Sequence, residues 1–202
     1  MHTILRTRSF YDRHAQRWSE FHTNSFHHEL QFRRFSRYFK SGDAIVDIGS
    51  ANGIHVPLFL GIGQRFRYFG VDISRTFVRI ARERYPQLSF HVGDIASRRT
   101  LPRRKFSGFW ASAVLMHIPE RQWGDMFSNI EHLVRPRGVG YITLPRYRPN
   151  PASRNDRRHF TLMPTSRILT HFYRRGWKVL AQGILHGTTV PNNWRWFFVR
   201  LP

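Results

Sequence analysis

The sequence predicts an α/β fold built on a seven-stranded, mostly parallel sheet with an antiparallel C-terminal strand. Three observations carry this. Short apolar runs alternate with amphipathic helical stretches as far as Leu144. The run Ala44-Ile-Val-Asp-Ile-Gly-Ser-Ala-Asn-Gly53 ends in an acid and a small-residue loop. Tyr68-Phe-Gly-Val-Asp-Ile-Ser74 ends in another acid about twenty residues on, the layout of a nucleotide-type site at the carboxyl ends of neighbouring parallel strands. Two β segments near 177–185 and 194–200 then read as an antiparallel terminal pair.

Each element has a local reason. Residues 9–40 read as helical, with Phe32, Phe35 and Phe39 on one face and Arg33, Arg34 and Arg37 left wet. Ser41-Gly42-Asp43 breaks that pattern, and Ala44–Ile48 suits a strand covered on both faces. Residues 54–60 form a short helix, with Pro57 tolerable only near its first turn. Phe66–Val71 is the second strand; Ser74 caps the next helix, whose buried stripe is Phe77, Ile80 and Ala81. Leu88–Val92 and Phe106–Ala113 are the third and fourth strands. Residues 119–134 are the clearest helix, carrying Trp123, Met126, Phe127, Ile130, Leu133 and Val134 at helical spacing. Arg135-Pro-Arg-Gly138 ends it before a fifth strand at Val139–Leu144. A Pro- and Arg-rich loop, a helix near 165–175 and a stop at Gly176 precede the terminal pair. No linker or repeat divides the chain, so residues 1–40 are a helical cap on the same domain as the core at 41–202.

Composition bounds the function. With 202 residues, 41% hydrophobic and 15% aromatic, the chain can bury one α/β core and is not of disordered type. Without cysteine it has no disulfide, thiolate metal site or cysteine nucleophile. No segment approaches the ~18 apolar residues of a membrane span, and the N-terminus lacks a signal-peptide core, which predicts a soluble cytoplasmic protein without a membrane partner. The unusual property is charge: 33 basic against 12 acidic residues, a net +21. Only Lys40, Lys105 and Lys178 are lysines. Such a surface attracts polyanions, RNA first among them, although arginine-for-lysine skew also follows from coding bias.

The loops suggest their own chemistry. In Asp47-Ile-Gly-Ser-Ala-Asn-Gly53 small residues let the backbone approach a ligand. Asp72 can accept hydrogen bonds from a ribose diol, and a carboxylate there repels phosphate. Asp94, with Ile95 beside it, can take an exocyclic amine while the aliphatic chain packs on a purine; alone, Asp94 could equally cap the segment after it. Three acids ending three successive strands point to an adenosine-containing cofactor. His27-His28-Glu29 lacks metal-ligand spacing, and no metal site is expected.

On these residues the chain resembles the class I S-adenosylmethionine-dependent methyltransferases of Rossmann-like, three-layer architecture, in particular small bacterial members. The resemblance implies that Asp47, Gly49, Ser50, Ala51, Asn52 and Gly53 hold the methionine part of S-adenosylmethionine, Asp72 with Ile73 the ribose, and Asp94 with Ile95 the adenine. Phe106-Ser-Gly-Phe-Trp-Ala-Ser-Ala-Val-Leu-Met-His-Ile-Pro119 is similar to the fourth motif, which places Ala111 at the cofactor and His117 at the cleft as the candidate general base. Leu133-Val-Arg-Pro-Arg-Gly-Val-Gly140 is similar to the helix-turn-strand segment. Phe10-Tyr-Asp-Arg-His-Ala-Gln-Arg-Trp18 is similar to an N-terminal helix that closes over the cofactor, so Tyr11 and Trp18 cover it, line an acceptor pocket, or pack as ordinary aromatics. Arg158-His-Phe160, Gly176-Trp177 and Trp194-Arg-Trp196 fit the same small bacterial type.

Three positions depart from the family pattern: Ala51 for the middle glycine, Ser107 for an acid and Arg137 for a turn glycine. No Asn/Asp-Pro-Pro-Tyr/Phe box follows the fourth strand, and a dehydrogenase fits the later motifs less well. The expected activity is methyl transfer to an O or N atom of an anionic small molecule. The basic stretch at 146–175 (Arg146, Arg148, Arg154, Arg157, Arg158, Arg167, Arg174 and Arg175 against Asp156) favours such an acceptor. RNA methylation, or an inactive polyanion-binding relative, are the alternatives.

Overall fold

The computed structural model describes residues 2–23, 28–61, 66–147, 158–185 and 194–202. Helices α1 (His2–Phe21) and α2 (Glu29–Ser36) precede β1 (Ala44–Ile48), α3 (Val56–Gly61), β2 (Arg67–Asp72), α4 (Arg75–Arg84) and β3 (Ser89–Val92). Then come β4 (Phe106–Ala111), α5 (Trp123–Leu133), β5 (Val134–Pro145), α6 (Thr165–Arg174), β6 (Lys178–Leu185) and β7 (Trp194–Arg200). The seven strands form one sheet in the order β3-β2-β1-β4-β5-β7-β6. Six, β1 to β6, run in one direction, and β7 enters between β5 and β6 antiparallel to both. This is the three-layer α/β class expected from the sequence.

Strand alternation explains the two layers of core. On one face Val46, Phe106, Phe109 and Ile142 pack with Phe127 of α5 and Phe172 of α6. On the other, Ile45, Trp110, Tyr141 and Phe198 pack with Phe32 and Phe35 of α2, Phe59 of α3 and Val78 of α4. A period of two in each strand sends neighbours to opposite layers. Every residue of β1 is buried, as expected of a strand at the centre of a doubly covered sheet. The arrangement brings the carboxyl ends of β1 to β5 to one rim.

Several boundaries differ from the sequence reading. The N-terminal helical region starts at His2 and divides into two helices; residues 24–27 lie outside the described residues. The division lets α1 cross the rim and pack Ala15 with Ile54, Phe77 and Ile80, while α2 lies on the sheet face. Phe39 still packs, from a turn rather than a helix. The helix expected at 119–134 opens with a single tight turn at Glu120–Gln122 before α5. Residues 135–138 are part of β5 rather than a separate turn: pairing runs Phe106 to Val134, then shifts to Gly108 with Val139, a bulge in one continuous strand.

Arg137 sits in that bulge at φ +60, with its N–H donated to the Pro202 carbonyl at 2.9 Å. A side chain is disfavoured in left-handed backbone by roughly 1–2 kcal/mol. Arg137→Gly, restoring the residue usual at this turn, is expected to raise unfolding free energy by about 0.5–1 kcal/mol in a urea titration. The second departure, Ser107, donates from Oγ to Asp43 Oδ1 at 2.6 Å, tying β4 to the turn before β1.

Candidate active site

The rim holds a cavity of about 480 Å³, in the range of small-molecule and cofactor sites. Its floor comes from the loops after β1, β2, β3, β4 and β5, and its roof from the inner face of α1, where Ile4, Thr7, Tyr11 and Trp18 follow helical spacing. Asp12 fixes that roof: its Oδ1 accepts from Ser74 Oγ at 2.7 Å and Thr76 N at 3.2 Å. These contacts pull its carboxyl pKa down despite the opposing effect of burial, with Arg8 adding to them. Ser74 in turn caps α4 through Phe77 N.

At one end lie the two acids. Asp72 is 9% exposed; Oδ2 accepts from Ala51 N at 2.9 Å and Oδ1 from Ser74 N at 2.8 Å. Ala51 makes its contact from a left-handed backbone, φ +46, between Gly49 and Gly53 at φ +76 and +80. The alanine departure therefore keeps the glycine-like loop at a cost in strain. Two backbone donors orient the Asp72 carboxylate and leave each oxygen a lone pair for a ligand. Burial pushes its pKa up to about 6 against those two hydrogen bonds, with Asp47 and Asp12 adding to the rise. Asp94 accepts from Ala96 N at 2.8 Å through Oδ1, closing a local turn, while its other oxygen has no hydrogen-bond partner among the described residues. Burial raises the pKa of Asp94 as well. Ile73 and Ile95 line the cavity beside them.

The opposite end is cationic and imidazole-rich. The Arg158 guanidinium lies 4.8, 5.5 and 5.1 Å from the ring centroids of Phe10, Tyr11 and Phe160 and donates to Tyr11 Oη at 3.0 Å. Tyr11 Oη meets His117 Nε2 at 2.9 Å, and His117 Nδ1 meets the His159 carbonyl at 2.7 Å. A carbonyl only accepts, so Nδ1 carries the hydrogen and Nε2 accepts from the tyrosine. Both ring nitrogens of His117 are thereby engaged. Nearer the ends of β4 and β5, His28 Nε2 contacts Ser112 Oγ at 2.9 Å and Nδ1 contacts Tyr141 Oη at 3.2 Å. Ser112 Oγ lies 3.2 Å from Thr143 Oγ1, which accepts from Ala113 N at 2.8 Å. His55 stands beside them with Nδ1 on the Asp47 carboxylate.

Of the residues singled out from the sequence, Gly49, Ala51, Asp72, Ile73, Asp94, Ile95, Tyr11, Trp18 and His117 line the cavity. Asp47, Ser50, Asn52, Gly53 and Ala111 do not. Asp47 and Asn52 are fully buried behind the loop, where Asn52 Nδ2 donates to the His22 carbonyl at 3.0 Å. Ala111 is a fully buried strand residue; Ser112 and Ala113 after it reach the cavity. Arg148, Arg154, Asp156 and Arg157 lie outside the described residues. Sequence reasoning missed the roles of His28, His55, Ser112 and Thr143. The eight-residue spacing of Asp47 and His55 across the loop was the available signal; His28 joins its partners only through the tertiary fold. Among the described residues no cluster of three metal-ligating side chains occurs, and no helix is long and apolar enough to cross a membrane.

The geometry suits a ligand with hydroxyl or amine donors at one end and an anionic group at the other. Residues 45–138 match the family model described as a methyltransferase domain. The trans-aconitate 2-methyltransferase of Azoarcus sp. (strain BH72) is 28% identical over 110 residues, which are 54% of this chain and 42% of that protein. The chain thus spans about two-fifths of that relative's length. Among solved structures, magnesium protoporphyrin IX methyltransferase from Synechocystis PCC 6803 with bound SAH superposes with a TM-score of 0.76 at 14% identity, covering 99% of this chain and all of that one. Burkholderia thailandensis 1,6-didemethyltoxoflavin-N1-methyltransferase, with its acceptor and S-adenosylhomocysteine bound, gives 0.76 at 14% identity over 98% and 87% of the two chains.

Proposed function

We propose that this protein transfers a methyl group from S-adenosylmethionine to an O or N atom of an anionic small molecule, a reading supported by the match of residues 45–138 to a methyltransferase-domain model and by the fold shared with solved methyltransferases. The observation that carries the reading is Asp72: a buried carboxylate in the cavity, held by two backbone N–H groups with acceptor capacity left over. That acceptor set fits the two hydroxyls of a ribose diol. Asp94 and Ile95 would take the adenine, and the Gly49–Ala51 backbone the methionine part, under the cover of Tyr11 and Trp18. The cofactor supplies an activated methyl group and its own leaving group; the protein's task is to position the acceptor in line and exclude water.

The acceptor's charge follows from the other end. Arg158 brings a guanidinium to the imidazole-rich end of the cavity, beside Tyr11 and His117, where a carboxylate or phosphate on the acceptor would be held by charge-assisted hydrogen bonds. The relative named for trans-aconitate is a carboxylated precedent. The Arg158–Tyr11–His117 chain would set the position of that anion, and with both its nitrogens engaged His117 can act as a base only after Tyr11 moves away. RNA methylation rests on the net charge of +21, which also draws RNA to a protein that does not modify it.

Incubation with methyl-labelled S-adenosylmethionine, trans-aconitate, a set of other carboxylated metabolites, and total RNA separates these. Label in the small-molecule fraction is the expected result. Label confined to RNA, with binding that falls steeply as salt rises, would overturn the acceptor assignment.

A pH dependence follows from Asp72. Its folded-state pKa, about 6, is raised by burial from 3.8, so the carboxylate gains its proton as pH falls through about 6. The protonated group accepts fewer hydrogen bonds from a diol. Affinity for S-adenosylhomocysteine is therefore expected to be flat above pH 7 and to fall below pH 6. Protein stability should move the opposite way for this group: a raised carboxyl pKa favours the folded state at low pH, and that contribution is lost as pH rises through about 6. Calorimetry across pH 5–8 checks the first, and thermal melts of wild type against Asp72→Asn check the second.

A further inference from the structure

The geometry points to His55, oriented by Asp47, as the base that takes a proton from a hydroxyl or amine acceptor. This rests on the proposed methyl transfer and adds to it the nature of the acceptor atom. The methylated group is protic and loses its proton, while the anionic group of the same molecule is held elsewhere in the cavity.

Asp47 is fully buried on β1. Its carboxylate accepts from His55 Nδ1 at 3.0 and 3.2 Å and from Tyr68 Oη at 2.8 Å. Since a carboxylate only accepts, Nδ1 bears the hydrogen in the neutral ring, and the lone pair is on Nε2. That nitrogen has no hydrogen-bond partner among the described residues and is not one of the polar atoms sealed in the core. His55 itself lines the cavity. An acid fixing one nitrogen of a histidine, with the other nitrogen open to a binding site, is the arrangement that orients a general base and stabilises the imidazolium formed in the reaction.

Placement along the rim agrees. In the order β3-β2-β1-β4-β5, Asp72 and Asp94 end β2 and β3, on one side of β1. Ser112 and Thr143 lie at β4 and β5, on the other. The His28 ring, bonded to Ser112, has its centroid 6.2 Å from that of His55. His55 thus faces a group of hydroxyl and imidazole side chains away from the ribose acid, suited to orient a protic nucleophile. His117 offers no comparable open nitrogen. A carboxylate nucleophile would need no base, so the dyad selects for a hydroxyl or amine at the reacting position.

The step balances as follows. The acceptor oxygen or nitrogen forms its bond to the methyl carbon as the carbon–sulfur bond breaks, its electron pair staying on sulfur. The acceptor's proton passes to His55 Nε2 and from there to solvent. Asp47 is a positioning residue throughout and keeps its negative charge.

The test is histidine-nitrogen NMR of the full chain, with and without S-adenosylhomocysteine, using His55→Asn to assign the signal. The expected result is His55 as the Nδ1–H tautomer, redistributed in Asp47→Asn. A hydrogen on Nε2 in the wild type would overturn the assignment. His55→Asn keeps a donor for Asp47, and its affinity for S-adenosylhomocysteine should stay within about 3-fold of wild type. Labelled-methyl transfer into a metabolite extract should fall at least about 100-fold. Retained transfer, or a loss of cofactor affinity beyond about 10-fold, would remove His55 as the base. A wild type that binds no S-adenosylhomocysteine would instead sink the methyl-transfer reading, while the tautomer measured on the same sample still decides the dyad.

Discussion

Asp72→Ala is expected to lower affinity for S-adenosylhomocysteine at least about 100-fold, close to 3 kcal/mol, while leaving the protein folded. A hydrogen bond to a charged group is worth about 1.5–3 kcal/mol, and a ribose diol makes two to the same carboxylate. The removed group also organises its own site: without it the N–H groups of Ala51 and Ser74 lose their acceptor, and the loop after β1 loses the contact that holds its left-handed residue. Asp72→Asn, which keeps one acceptor oxygen, should give an intermediate loss. Calorimetric titration of both variants checks the order. Equal affinity in wild type and Asp72→Ala would show that the diol binds elsewhere.

Trp110→Ala is expected to cost about 3–5 kcal/mol of unfolding free energy, out of a total of about 5–15 kcal/mol for a domain of this kind. Trp110 is fully buried. It stacks on Tyr141 with ring centroids 3.8 Å apart and meets Phe32, Phe35, His28 and His55 at 5.2 to 6.1 Å. One ring thus joins α2, β5 and the imidazole end of the cavity. Urea denaturation measures the loss. A change below about 1 kcal/mol would mean that this layer repacks freely.

The sheet was legible in the sequence because parallel strands buried on both faces leave short apolar runs whatever surrounds them: Ala44–Ile48 and Phe106–Ala111 need only their own composition. The left-handed backbone at Arg137 was signalled by its place at a usual turn glycine, but the run of β5 through 135–138 was hidden, because it depends on pairing with β4 and on the Arg137 N–H contact to Pro202 at the far end of the chain. The acid end of the cavity was readable for the same reason as the strands, since Asp72 and Asp94 follow each strand directly. The opposite end was not. His28, Ser112 and Thr143 are 84 and 31 residues apart along their bonded pairs, and only strand order unites them. Asp47 was read as a ligand to the cofactor because of its place in the loop motif; the structure turns it toward His55 and Tyr68 instead. Its alternation within β1 decides this, since Asp47 points to the α3 side with Ile45, not to the rim.

The central claim is the cofactor site, and a calorimetric titration of the wild-type protein with S-adenosylhomocysteine tests it most directly. The expected result is one site per chain with Kd on the order of 1–10 μM, about −7 to −8 kcal/mol. No binding heat from a protein that unfolds cooperatively in the same buffer would contradict it.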